Sequence, residues 1–188
     1  MSSHVRLATP GDAAEIAAIY APFVRDTPIS FETVPPTAEE MAERIQKTLE
    51  TYPWLVLEDE GQIRGYAYAG AYRARAAYIW SVDVAIYVHP DAKRSGVGRR
   101  LYNALFDILR AQGFVNAHAG ITLPNPGSVG LHERLGFVPV GIYPSIGYKA
   151  GAWHDTGWWR LTLTEPPLDP PQPVPLSHFE GVDAILAS

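Results

Sequence analysis

The stretch 86–101, Ile-Tyr-Val-His-Pro-Asp-Ala-Lys-Arg-Ser-Gly-Val-Gly-Arg-Arg-Leu, constrains this chain more than any other. An apolar strand ends at Pro90, a basic turn carries Gly96 and Gly98, and a helix follows in which Leu101, Leu105, Ile108 and Leu109 recur at helical spacing. A strand that enters a helix through glycines gathers the unpaired N–H groups of the first helical turn at the positive end of the helix dipole. Without a Cβ at 96 and 98, a phosphate can approach the backbone. Lys93, Arg94, Arg99 and Arg100 crowd the same turn. Cations there oppose the dipole, so they make sense with a multiply charged anion between them. A solvated basic turn is the plain alternative, because a lone Gly-x-Gly is a weak signal. Two rival phosphate motifs fit worse. Arg99-Arg100 follow Gly98 where a P-loop needs Lys-Ser/Thr, and Leu101 stands where a dinucleotide fingerprint needs its third glycine.

The chain has 188 residues, 47% of them hydrophobic, which suits one domain with a sizeable core. A net charge of −5 argues against a general nucleic-acid binder. The absence of cysteine removes disulfides, thiolate metal sites and a cysteine nucleophile. No apolar run is long enough to span a bilayer, and the start, Met-Ser-Ser-His-Val-Arg, has no signal-peptide core. The expectation is a cytoplasmic protein, with no membrane and no nucleic-acid partner.

Periodicity predicts a strand over 5–8, a helix over 13–24 capped by Asp12, and a second helix to residue 50 opened by the capping box Thr37…Glu40. Strands are predicted over 54–57 and 63–71 as a hairpin, and over 78–88. The central helix covers 96–112 and closes at Gly113. A strand over 115–122, a short helix over 125–135 and strands over 137–143 and 153–164 complete a βααβββαβαββ order. That order is a mixed α/β sheet with helices on both faces, in three layers. Residues 1–164 are read as the domain. Residues 165–188, with prolines at 166, 167, 170, 171, 173 and 175, are read as an extended arm outside its core.

The turn Arg94-Ser-Gly-Val-Gly98 between strand and helix resembles the acetyl-CoA pyrophosphate loop of the GNAT N-acetyltransferases, with Lys93 in a place usually held by Gln or Arg. Asn125, Ser128, His132 and Gly136-Phe137 resemble the later part of that family's core. Tyr52-Pro-Trp-Leu-Val56, Gly65-Tyr-Ala-Tyr-Ala-Gly70, Arg73-Ala-Arg75, Leu135-Gly-Phe137, Gly147-Tyr-Lys149 and Trp153-His-Asp155 narrow the resemblance to its phosphinothricin N-acetyltransferase family, over residues 4–164. The resemblance implies the acyl-CoA N-acyltransferase fold. It also implies acetyl-CoA as cosubstrate, a homodimer, and an acceptor such as phosphinothricin, methionine sulfoximine or methionine sulfone. Ile86, Tyr87, Val88, Arg94, Ser95, Gly96, Val97, Gly98, Arg99 and Asn125 then become the expected cofactor contacts.

Acetyl transfer from a thioester needs an acceptor for the ammonium proton and a means of stabilising the departing thiolate. Asp83 is the candidate base: an acid in an apolar strand, on the same parity face as Tyr87. The related enzymes carry an acid here, usually glutamate. The shorter aspartate suggests a bridging water or a different substrate. His132, a histidine in the related enzymes, is the expected general acid or second base. Arg73 and Arg75, two apart, would turn two cations toward the acceptor's anionic end. Phe31, Trp80 and Tyr87 could wall the pocket. His89, His118 and His154 have no metal-ligand spacing, so no metal is expected. Trp153, Trp158 and Trp159 suggest a subunit interface. A CoA-binding module without catalysis, and an acetyltransferase for protein N-termini or antibiotics, are the alternatives.

Overall fold

The computed structural model describes residues 3–187. In chain order it contains β1 (His4–Leu7), α1 (Ala13–Asp26), α2 (Ala38–Leu49), β2 (Trp54–Asp59), β3 (Gln62–Ala71), β4 (Ser81–Val88), α3 (Val97–Gln112), β5 (Asn116–Leu123), α4 (Pro126–Arg134), β6 (Val138–Lys149), β7 (Ala152–Thr162) and α5 (Val182–Leu186). The strands form one sheet in the order β1-β2-β3-β4-β5-β7-β6. Every neighbouring pair is antiparallel except β4 and β5, which α3 connects as a parallel crossover.

Each face of the sheet carries its own core. On one face Ala67, Ala69, Val82, Val84, Ala117, Ala119 and Ile121 meet the α3 stripe of Leu101, Leu105, Phe106, Ile108 and Leu109. The small residues on β3 and β5 let the helix approach closely, and truncating Leu105 to Ala would cost about 2–5 kcal/mol. On the other face Trp54, Val56 and Tyr66 meet Ile16, Ile19, Tyr20 and Val24 of α1 and Met41 and Ile45 of α2. The predicted parity of β4 therefore holds: Val82 and Val84 face α3, and Tyr87 packs edge-on against Tyr20 and Phe23 of α1.

The Thr37–Glu40 box forms reciprocally, with the Glu40 N–H donating to Thr37 Oγ1 at 3.1 Å and the Thr37 N–H to Glu40 Oε2 at 2.8 Å. Four expectations need correction. Asp12 does not cap α1; Arg6 donates to both its carboxylate oxygens at 2.8 Å, and the N–H and hydroxyl of Thr9 donate to Oδ2. β4 begins at Ser81 rather than 78, because residues 76–78 make a 3-10 turn. β6 runs past Tyr143 to Lys149, since a register shift between Tyr143 and Gly147 absorbs Pro144 and lets pairing with β7 resume. Finally, the tail is not wholly outside the core. Leu176 and Val182 are each 7% exposed and belong to the cluster around α3. The Gln112 amide donates to Val174 O at 2.8 Å, and the Trp80 indole N–H donates to Pro171 O at 2.7 Å. The proline run carries the chain back across α3, and the apolar residues behind it dock.

Candidate active site

β4 and β5 share parallel rungs only at Ser81↔Asn116, Val82↔Ala117 and Asp83↔His118. Beyond them β4 continues beside β3 to Val88, and β5 continues beside β7 to Leu123. The two strands part, so the edge of β4 that faces β5 has no strand beside it from Val84 onward, and its peptide groups are free to bond something else. A cleft of about 1050 Å³ opens in this gap. Its lining includes Ile86, Tyr87, Val88, Lys93, Arg94, Gly96, Val97, Gly98 and Arg99 from β4 to α3, and Asn125, Ser128, Leu131 and Arg134 from α4.

Gly96 caps α3 at φ 87°, a left-handed conformation that glycine adopts without strain. Gly98 lines the cleft and has a second use. A Cβ there would lie 3.1 Å from Leu131 Cδ2, so its bareness lets α3 sit against α4. Arg100 does not join the cations of the turn. It donates to the hydroxyl and carbonyl of Ser3 at 2.6 and 2.9 Å, because one residue beyond Arg99 turns it about 100° around the helix. Arg134, which the sequence did not single out, completes the set with Lys93, Arg94 and Arg99. Its guanidinium leans over Gly130, where a Cβ would meet Nη1 at 3.2 Å. Ser95 is absent from the lining and closes the turn by donating to Ala92 O at 2.6 Å. Asn125 both lines the cleft and caps α4, its Oδ1 accepting from the Ser128 N–H at 3.1 Å.

His132 lies behind this wall. It is 2% exposed, and its Nδ1 lies 2.8 Å from Ser128 O, a group that can only accept. Nδ1 therefore carries the proton, and Nε2 accepts from the Tyr102 hydroxyl at 3.0 Å. Burial lowers the ring's pKa, with the Ser128 backbone opposing in part. A neutral imidazole with both nitrogens engaged, outside the cleft, is a poor general acid, which speaks against the acid half of the expectation for this residue.

Asp83 stands at the last shared rung, where the strands part. Its register partners are Gly70 on β3 and His118 on β5. A Cβ at Gly70 would meet nothing within 4 Å, so there is open space beside the acid. Asp83 Oδ1 is buried and has no hydrogen-bond partner. Burial pushes the carboxyl up to about 7, against a smaller opposing pull from the Arg73 charge. Arg73 lies 4.5 Å from the Tyr72 ring centroid and 5.6 Å from that of Trp158. Arg75 is exposed and starts the 3-10 turn; of the two expected cations, Arg73 is the one whose charge acts on Asp83.

The remaining expected pocket residues divide. Tyr87 lines the cleft and stacks on Tyr66 at 5.4 Å. Phe31 packs over Gly147, where a Cβ would fall 2.4 Å from its ring, and lies 6.4 Å from the His154 ring. Its loop is tied down by the Lys149 ammonium, which donates to Val24 O and Ser30 O at 2.6 Å. Trp80 donates to the C-terminal tail and does not line the cleft. Of the three tryptophans near the chain end, Trp159 is in the α3-side core, Trp158 covers Gly120, and Trp153 is 64% exposed.

Residues 5–158 match the family described as Acetyltransferase (GNAT) domain. The chain is 41% identical over 170 residues to the phosphinothricin N-acetyltransferase of Streptomyces viridochromogenes, covering 90% of this chain and 92% of that protein. It is 34% identical to the L-methionine sulfoximine/L-methionine sulfone acetyltransferase of Salmonella typhimurium, covering 86% and 95%. The crystal structure of a GNAT superfamily phosphinothricin acetyltransferase from Sinorhizobium meliloti, in complex with AcCoA, superposes with a TM-score of 0.83 at 35% identity, covering 90% of this chain and 96% of that one.

Proposed function

The chain belongs to the GNAT acetyltransferase family, and on that premise we propose that it moves the acetyl group of acetyl-CoA to the amino group of a small amino-acid-like acceptor such as phosphinothricin, methionine sulfoximine or methionine sulfone. It is an acetyl-CoA-dependent N-acetyltransferase. The residues present suit that cosubstrate: four cations and the unpaired amides at the start of α3 suit a pyrophosphate, and the free edge of β4 suits an amide-bearing arm. Acetyl-CoA supplies the thioester carbonyl that the amine attacks.

In our reading Lys93, Arg94, Arg99, Arg134 and the backbone of residues 96–99 hold the phosphates, with Val88, Tyr87 and Ile86 along the arm. Asp83 takes the ammonium proton. An amine near pKa 8 and an acid near 7 are close enough for transfer in either direction. With no cysteine to hold an acyl group, attack is direct, with both substrates bound. The amino end of α4, with Asn125 and Ser128, stabilises the departing sulfur's charge. His132 fixes that end through Ser128 O. Arg73 meets the acceptor's anionic group.

The observation that carries this reading is the buried acid at the fork of β4 and β5. Thiol release from acetyl-CoA, measured with each of the three acceptors, tests it: release should depend on the amine. A protein that binds acetyl-CoA and releases no thiol with any of them would defeat the acceptor assignment.

We also read the protein as a cytoplasmic homodimer. β6 is an edge strand, and Val140, Ile142, Ile146 and Tyr148 on it, with Trp153 beside them, are all more than half exposed. So much apolar surface on one edge suits a second copy. Ile142→Lys should give a monomer by sedimentation if that face is the interface, and an unchanged mass would exclude it.

A further inference from the structure

Asp83 Oδ1 on β4, His118 Nδ1 on β5 and Trp158 Nε1 on β7 are all buried without a hydrogen-bond partner. Native folds rarely leave such atoms orphaned, and these three fall on successive strands. The register brings them together: Asp83 is opposite His118, and Trp158 is opposite Gly120, two residues along β5. Gly120 makes the space, since a Cβ there would lie 3.3 Å from the Trp158 ring. Tyr72 roofs the group, stacking on the His118 ring at 4.3 Å and meeting the Trp158 ring edge-on at 6.3 Å. The charges acting on the niche are Arg73 from the loop and Arg160 from β7.

The donor and acceptor capacities are complementary. Trp158 Nε1 can only donate, ionised Asp83 Oδ1 can only accept, and His118 Nδ1 accepts when the neutral ring carries its proton on Nε2. One water within reach of all three would satisfy them by accepting from tryptophan and donating to aspartate and histidine, which would leave a single lone pair. Burial lowers the His118 pKa, with Arg160 and Arg73 pushing the same way and the Val82 backbone opposing, so the ring stays neutral.

We infer that His118, with Trp158, is a positioning residue that fixes a water against Asp83 Oδ1, and that this water takes the proton from the acceptor's ammonium. This deepens the reading of Asp83 as the base and rests on it. In the step, an N–H bond of the ammonium breaks and its proton joins the water. One of the water's own protons passes to Asp83 Oδ1, and the nitrogen keeps the electron pair with which it attacks the thioester carbonyl. An acid one methylene shorter than glutamate is thereby extended by one solvent molecule.

Two measurements decide it on the full-length protein. In His118→Phe the ring that Tyr72 stacks on remains and Nδ1 is lost. With methionine sulfone, methionine sulfoximine or phosphinothricin, kcat should fall about 10- to 100-fold. The KM for acetyl-CoA should stay within about twofold, since no cleft residue has changed. The acid limb of the pH profile should move, and His118→Asn should recover part of the loss. Wild-type kcat and an unmoved profile in His118→Phe would overturn the inference while leaving the base reading intact. Wild-type turnover in Asp83→Asn would overturn the base reading itself. Independently of turnover, a crystal structure should show a solvent peak about 3 Å from all three atoms. A density map in which other buried waters are ordered and this place is blank would also overturn it.

Discussion

The two ends of the candidate site, the basic turn before α3 and the niche around Asp83, are built by opposite means. The end proposed for the cofactor is centred on one piece of chain, residues 93–99, faced by α4, and offers backbone amides and cations. The end proposed for the acceptor is assembled from β3, β4, β5, β7 and the loop at 72–73, and offers side chains that meet only after the sheet has formed. A local device tolerates the loss of one contact among several. A device made by register concentrates its chemistry in a few atoms.

The sharpest way to break this contrast is Asp83→Asn. Turnover should drop about 10²- to 10⁴-fold, while calorimetry shows acetyl-CoA binding unchanged; equal losses in both would mean the two ends are not separate. The same residue should leave a mark on stability. Its carboxyl is raised from 3.8 to about 7 by burial, so between those values the folded state holds a proton that the unfolded state has lost. Stability should therefore fall as pH rises from about 4 to 7, by up to about 4 kcal/mol. Asp83→Asn should flatten that part of the denaturation-versus-pH curve.

Smaller effects belong to the cofactor end. Arg134→Ala should raise the KM for acetyl-CoA by about tenfold, the size of one charge-assisted contact among several, and by less at high salt. Arg100→Ala, whose guanidinium is held by Ser3, should change that KM by less than about twofold, a difference set by screened charge alone. If steady-state kinetics reversed this order, the orientation of the α3 N-terminus would be wrong.

Legibility followed the same division. Gly96, Gly113 and the Thr37–Glu40 box depend on neighbours within a few residues, and they form where periodicity put them. Asp83 stood out because an acid interrupts an apolar strand. Arg134 did not, because its approach to the turn depends on how α4 packs against α3 through Leu131 and Gly98. His118 and Trp158 look ordinary until register sets them beside Asp83. His132 was visible as a residue, but helical position alone could not say that Tyr102 and Ser128 would occupy its two nitrogens. In the tail, the prolines drew attention away from Leu176 and Val182, whose burial depends on a surface more than 60 residues earlier in the chain.

The tail has a mechanical consequence. It binds the end of the fork that does not open: Pro171 holds Trp80, whose carbonyl accepts from the amides of Val115 and Asn116. A clothes-peg fastened at its spring can move only at its jaws. Deuterium should then enter slowly at 81–83 and 115–117 and quickly at 84, 86 and 88, whose amides face the open edge. A chain cut at 164 should loosen at the spring, so that its slow amides exchange as fast as those at the mouth.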